Sequence, residues 1–401
     1  MGNKRNSIRD FSRIWKVKRF FAVLVFLGVT YSFASHGFYV AERQHQRLLR
    51  RSIAIQEVQS HQRSLGVNET FLNAADYAMK GLVSGNRNGS VFCSHKSASG
   101  DSSLLRLSDF FRNETEWKKE GAFNIFLIET SCNSKPKYRS WCSAESMAQQ
   151  NPKAIVWYIF TSPEVDLSDG LVEQLLQKYK NLRLATVHLD DVFEGTPLEE
   201  LYRTSAWHSN GTLWPAANLS NMMRIAMVWQ AGGFYSDSDV ICISPVTELK
   251  NVIGLASFNL VNGANFHFDR HHPMVKKFML YLNEHFNPFV WGKNGPQTVS
   301  AVLRSVCNEN ILYQGLVCDN TKILSHTAFN PIQPHQRSML FLATAVQDLR
   351  KRFQGSYAIH FWNRETRIYP VVKESGTIYD LASKNFCPFS RELATKKSRI
   401  Y

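Results

Sequence analysis

The sequence predicts an α/β fold with a mostly parallel central sheet, and three observations carry that expectation. Short apolar runs at 123–128 and 154–160 and a third strand-like run at 182–188 alternate with segments of helical spacing at 142–149 and 171–179, the pattern of buried strands joined by helical crossovers. A helical pattern over 219–229 stops at Gly232-Gly233 and gives way, through a short aromatic stretch, to the β-branched run 240–243. The 401 residues are 44% hydrophobic and 12% aromatic, enough for a sizeable core in one large domain or two. In such a sheet, ligands gather at the carboxyl edge of the strands.

The elements follow in order from the N-terminus. Residues 1–19 carry Lys4, Arg5, Arg9, Arg13, Lys16, Lys18 and Arg19 against almost no acid, and read as a cytoplasmic tail. The apolar run 20–41 has about the ~20 residues a spanning helix requires. Basic residues precede it and few follow closely, which leaves the N-terminus in the cytosol and makes the run a type II signal-anchor. Ser32-Phe-Ala34 resembles a cleavage site for a signal peptide, the rival reading; the long basic lead and the continuation through Val40 favour the anchor. Residues 42–92, polar apart from a short helical stretch at 44–59, read as a luminal stem. The luminal domain is expected over 93–401, with halves at about 122–260 and 261–390.

Two features agree with a luminal, oxidising setting. Sequons stand at Asn68, Asn88, Asn113, Asn210 and Asn218. The seven cysteines lack any CxxC pair; Cys307 and Cys318 are expected to bridge, and Cys242, inside an apolar run, to be a buried free thiol. The net charge of +14 is partly concentrated in the tail and otherwise spread thinly. With no basic block beside aromatics and no zinc-finger spacing, nucleic acid is excluded as a partner, and the charge suits an anionic membrane surface or a diphosphate.

The richest segment is 231–240, Ala-Gly-Gly-Phe-Tyr-Ser-Asp-Ser-Asp-Val. Carboxylates at Asp237 and Asp239, two apart around a bend, can both reach one hard divalent cation whose oxygen shell suits a diphosphate. A bare Asp-x-Asp is common on solvated loops. Here it follows a helix-ending glycine pair and precedes a strand, and Arg224 lies two turns before the helix end, where a guanidinium can hold phosphate, sugar hydroxyls or Asp237. Ser220 is the expected N-cap of that helix.

The Arg224 helix, the GGFYSDSDV bend, Asn262-Gly-Ala264, the run WGKNGPQT at 291–298 and YAIHFWN at 357–363 occur in this order. Together, over roughly 122–390, they resemble the lactosylceramide 4-alpha-galactosyltransferase family of glycosphingolipid α1,4-glycosyltransferases, which also includes α1,4-N-acetylglucosaminyltransferases. The resemblance implies a GT-A-type fold, a Golgi type II membrane protein, a UDP-sugar donor (UDP-galactose or UDP-N-acetylgalactosamine), a glycosphingolipid acceptor, Mn²⁺, and retention of the donor's α configuration; a homodimer or a Golgi enzyme complex is compatible with it. Carried over by position, Asp239 binds the metal directly, Asp237 contacts the ribose and the metal shell, and Arg224 the donor sugar. His360 completes the metal or diphosphate site, with Trp362 as a stacking wall. Asn221, Tyr235, Ser238, Asn262 and Gly263 fall on the donor side, and Gly295, Pro296 and Gln297 on the acceptor side.

One departure stands out. Members of the family usually carry aspartate where this chain has Asn221 in Ser220-Asn-Met-Met-Arg224. The amide still accepts hydrogen bonds but has lost the charge, which bears on the choice of sugar, an N-acetylated one included. The sequon at Asn218 abuts this site and is expected to stay unmodified. Neither Asp269 nor Glu284 is marked as a nucleophile by its spacing, so a front-face transfer is the expected route. Two other classes use the same residues: a metal-dependent hydrolase, for which no HExxH or water-activating base is found, and a non-catalytic luminal binding protein or chaperone.

Overall fold

Residues 125–128 and 155–160 are apolar because both faces of each strand are covered. Ile125 and Leu127 enter one buried cluster while Phe126 and Ile128 enter another on the opposite face, the period-two alternation of a strand between two layers. In the computed structural model of the protein, the described residues are 103–208, 212, 214–343 and 349–396. The tail 1–19, the apolar run 20–41, the stem 42–92 with its helical stretch, the expected domain start at Cys93, and the sequons Asn68, Asn88 and Asn210 lie outside them. Among the described residues no helix is long and apolar enough to cross a membrane.

The strands in chain order are β1 (Leu104–Arg106), β2 (Ser108–Asp109), β3 (Asn124–Glu129), β4 (Ile155–Phe160), β5 (Glu164–Asp166), β6 (Leu182–Thr186), β7 (Gly233–Ser236), β8 (Val240–Cys242), β9 (Val252–Ser257), β10 (Leu260–Phe268), β11 (Val317–Cys318), β12 (Thr321–Leu324) and β13 (Ala358–His360). Nine of them form one sheet in the order β11-β12-β9-β10-β7-β3-β4-β6-β2. From β7 to β2 every neighbouring pair is parallel. β10 is antiparallel to both β7 and β9, which opens a mixed half in which β12 lies parallel to β9. The expected parallel sheet is thus the first half of a larger mixed one, extended by β9 to β12.

The helix Pro215–Ala231 covers one face, burying Met222, Met223, Ile225 and Ala226 beside Phe126 and Trp157. It starts at Pro215, earlier than expected, with Trp214 at the N-cap and no side-chain cap. Ser220 is therefore interior; proline suits the first helical position because its missing N–H would have no partner there. The helix Tyr138–Gln150 covers the other face with Trp141, Ala144 and Met147.

Cys307 and Cys318 are bridged as expected, and Cys242 is a buried free thiol. A second bridge, Cys142–Cys387, ties the helix Tyr138–Gln150 to the C-terminal helices. From the same helix, the buried Arg139 donates to the carbonyls of Thr366 and Tyr369 and packs over Phe341 and Tyr379. These contacts anchor the segment just after β13.

Candidate active site

The route from helix to aspartates is narrow. Gly232 and Gly233 have φ of +67° and +126°, and a Cβ at either would stand 2.7 Å from Arg270 N or 2.6 Å from Asn124 O. Only glycine passes there. β7 then runs beside β3 and delivers Asp237 at the carboxyl edge, where the Asp237 N–H donates to Ala264 O at 2.8 Å. That carbonyl is available because β10 bulges: Asn262 pairs with Gly254 and Phe266 with Ile253, so 263–265 have no partner on β9. The bulge also turns Gly263 O toward Arg224, which donates to it at 2.8 Å.

Arg224 is fixed on every side. It donates to Ser220 O and Oγ, lies over the Tyr235 ring at 4.8 Å and pairs with Asp237 Oδ1 at 3.0 Å. The same Asp237 oxygen accepts from the Tyr235 hydroxyl at 2.6 Å. Asp239 faces a different segment: β13 pairs with β8 so that His360 lies opposite Val240, placing His360 Nε2 3.1 Å from Asp239 Oδ1. The Asn363 N–H donates to Asp239 Oδ2 at 2.8 Å. Trp362 adopts a left-handed conformation, φ +53°, unusual for a bulky side chain. That turn aims the Asn363 N–H at the aspartate and stacks the indole on His360, with ring centres 3.8 Å apart.

Ligand atoms of Asp237, Asp239 and His360 all lie within 4.8 Å of one another. Two carboxylates and an imidazole make a mixed oxygen–nitrogen donor set that fits a divalent ion such as Mn²⁺. Burial pushes the Asp237 carboxyl up, against the pull of Arg224 and with the neighbouring Asp239 charge adding to it. Burial acts on Asp239 too, but His360 and the Asn363 N–H outweigh it and hold that carboxyl low. For His360, burial opposes charge and the two aspartates outweigh it, raising the imidazole above its usual value.

These groups form the floor of a cavity of about 380 Å³. Asn221, Arg224, Tyr235, Asp237, Ser238, Asp239, Asn262, Pro296, His360 and Trp362 line it, gathering most of the site read from the sequence. Gly263 and Gly295 act from behind. Gly263 supplies the carbonyl that holds Arg224, and a Cβ at Gly295 would meet Asn221 Oδ1 at 2.7 Å, so glycine there gives the Asn221 amide its place. Gln297 is exposed and does not line the cavity. Asn218 is buried, with its Nδ2 donating to Trp207 O and Thr212 Oγ1, which withholds it from a glycan. The Nδ2 of Asn113 is likewise engaged, by Ser108 Oγ and Asp109 O. Asp269 ties β10 to Asn251, and Glu284 is exposed on its helix; neither reaches the cavity.

The sequence reading missed several lining residues. Glu129 and Ser131 sit at the carboxyl end of β3, where the edge rule for parallel strands could have found them. The indoles of Trp214 and Trp291, 5.5 Å apart, stand at the mouth with the Arg364 guanidinium 3.4 Å over Trp291. Glu365 lines the wall beside them. In the segment 286–291, Phe286 packs on the core while Phe289 and Trp291 are 60% and 45% exposed and Val290 and Trp291 line the cavity, so its second half forms a lip.

Comparison with known proteins agrees with this geometry. Residues 137–257 match the model of a glycosyltransferase sugar-binding region containing a DXD motif, and 267–394 that of an alpha 1,4-glycosyltransferase conserved region. The lactosylceramide 4-alpha-galactosyltransferase of Homo sapiens is 29% identical over 67% of this chain and 76% of its own. The alpha-1,4-N-acetylglucosaminyltransferase of Homo sapiens is 30% identical over 66% of this chain and 78% of its own. Among solved structures, the PaToxG glycosyltransferase aligns with 49% of this chain and 74% of its own at 15% identity and a TM-score of 0.33.

Proposed function

The chain belongs to the alpha-1,4-glycosyltransferase family, and from that premise we propose that it transfers galactose or N-acetylgalactosamine from a UDP-sugar to the terminal sugar of a glycosphingolipid. The linkage formed is α1,4, the donor configuration is retained, and the setting is the Golgi membrane, with residues 20–41 as anchor and a GT-A-type domain in the lumen. One observation carries the reading: Asp237, Asp239 and His360 converge at the floor of a cavity that also holds Arg224 and opens between two indoles.

Asp237, Asp239 and His360 would hold Mn²⁺, which when bound supplies Lewis-acid stabilisation to the charge developing on the UDP leaving group. The chain's own residues do the rest. Arg224, locked by Ser220 and Gly263, sets a fixed positive charge beside the donor. The Asn221 amide, backed by Gly295, presents neutral hydrogen-bonding groups to the sugar. Trp214 and Trp291 offer aromatic faces to an acceptor sugar, and the exposed lip at Phe289 suits a lipid-bound one. The cavity carboxylates beyond the aspartate pair are Glu129 and Glu365. In the front-face route neither becomes covalently linked: the acceptor oxygen bonds to C1 on the face from which the phosphate oxygen departs, and the hydroxyl proton leaves with the diphosphate.

A second reading has its own support in the N-acetylglucosaminyltransferase relative and in Asn221: transfer of N-acetylglucosamine to glycoprotein O-glycans. The deciding experiment measures Mn²⁺-dependent UDP release from a panel of UDP-sugars, with glycosphingolipid and O-glycan acceptors, for the native chain and Asp239→Ala. Turnover of UDP-galactose or UDP-N-acetylgalactosamine with the lipid, lost in the variant, is the expected result. Turnover confined to UDP-N-acetylglucosamine and O-glycans transfers the conclusion to the second reading. No turnover, with tight lipid or protein binding, leaves a non-catalytic binding protein. A glycosyl adduct trapped on Glu129 or Glu365 overturns the front-face route.

A further inference from the structure

We propose that Asn330 is a positioning residue that sets His360 in the tautomer whose Nε2 is free to bind a cation. This deepens the proposed cation site and rests on it. Two backbone groups fix the orientation of two buried amides. Asn262 Oδ1 accepts from the Ala264 N–H at 3.0 Å, so its Nδ2 faces Asn330 Oδ1 at 3.0 Å and His360 Nδ1 at 3.2 Å. Asn330 Nδ2 donates to Leu255 O at 3.0 Å, so its Oδ1 faces His360 Nδ1 at 3.2 Å. Either amide, flipped, would break a buried backbone hydrogen bond.

His360 Nδ1 therefore meets one donor, from Asn262, and one acceptor, from Asn330. In a neutral ring protonated at Nε2, that N–H donates to Asp239 Oδ1, 3.1 Å away, and Nδ1 accepts from Asn262. In a ring protonated at Nδ1, that N–H donates to Asn330 Oδ1, and the Nε2 lone pair faces the aspartates. Passing between them, one proton leaves Nε2 for water and one reaches Nδ1 from water, so the ring's proton count is unchanged. Asn262 serves the first form and Asn330 the second. Without the Asn330 oxygen, the cation-binding form would carry a buried N–H with no acceptor. A partner on the far nitrogen of a ligating histidine fixes its tautomer and raises its basicity, and loss of such partners costs roughly 10–100-fold in metal affinity. Asn330 lies far from the aspartates in sequence and does not line the cavity.

The test uses the full-length chain with Mn²⁺ alone, titrated by electron paramagnetic resonance, in native, Asn330→Leu and Asn330→Asp forms. Leucine removes the acceptor and is expected to weaken Mn²⁺ by about tenfold or more; aspartate keeps it and is expected to hold affinity within about threefold. In ¹⁵N-histidine NMR with diamagnetic Mg²⁺, the native and aspartate forms should show His360 protonated at Nδ1 on loading. Native-like affinity in Asn330→Leu, or an equal loss in Asn330→Asp, overturns the proposal. If the leucine variant does not fold, the aspartate variant decides alone: retained affinity supports the role of the oxygen, and lost affinity overturns it. A native chain that binds no Mn²⁺ overturns the cation site itself, an outcome distinct from either.

Discussion

Among the described residues, Glu145 and the pair Asp237 and Asp239 are carboxylates satisfied in opposite ways. Glu145, fully buried on the helix Tyr138–Gln150, accepts from the N–H groups of Phe389 and Ser390 and from the Ser390 and Tyr179 hydroxyls. All of its donors are neutral, and the Cys142–Cys387 bridge closes alongside. Asp237 and Asp239 instead lean on the charges of Arg224 and His360 and open onto a cavity. A carboxylate whose oxygens are all used by neighbouring donors holds the chain together; a pair balanced by charge on one side and open on the other is built to hold something else.

The sharpest way to break this contrast is Asp239→Ala. Mn²⁺-dependent UDP release is expected to fall at least about a thousandfold, with little change in thermal midpoint. A variant that keeps activity within tenfold, or one that unfolds instead, would erase the distinction. Next comes Glu145→Ala, which leaves several buried donors without an acceptor and should cost about 3 kcal/mol in denaturant unfolding while the donor KM stays unchanged. A KM change comparable to the stability loss would place Glu145 in the site's machinery.

Smaller effects refine the comparison. Asn221→Asp introduces the charge that the sequence resemblance implies at this position and is expected to move donor selectivity about tenfold from N-acetylated sugars toward galactose, read as the ratio of kcat/KM values for the two donors. The smallest effect is in pH dependence. Burial pushes the Glu145 carboxyl above 4.5, against the donors that favour its charged form. Its folded state thus binds a proton more tightly than the unfolded chain does, so its contribution to stability is full below 4.5 and is lost as pH rises through the folded value. Glu145→Gln should remove that decline, at most about 1.4 kcal/mol per pH unit, measured as unfolding midpoints across a pH series. An unchanged slope would show that the carboxyl does not titrate there.

What the sequence disclosed depended on how far apart the partners lie. The strands 124–129 and 155–160 were legible because two-sided burial makes 125–128 and 155–160 apolar without a break. The aspartate pair was legible because glycines, strand and carboxylates are contiguous. The helix start was misplaced because Ser220 satisfies the usual capping signal, while Pro215 at the first position carried the true one. Cys142–Cys387 joins residues 245 apart, and nothing local marks the pairing. Trp214, Glu365 and Asn330 reach or support the site from segments whose course depends on the packed whole. His360 was identified by resemblance to a family; what makes it a neighbour of Asp239 is the pairing of β13 with β8, which no local periodicity specifies.

That pairing imposes an order of events on synthesis. The helix with Arg224, β7 and both aspartates are made well before β13, and Cys387 emerges later still. Domains begin to fold from the N-terminal side as they are made, so a nascent chain carries the acidic half of the cluster while its histidine is still to come. A ribosome-stalled or truncated product ending before His360 would present two neighbouring carboxylates without their imidazole and a helix without its bridge. Synthesis past His360 and Cys387 is in this sense the step that assembles the cluster and its support.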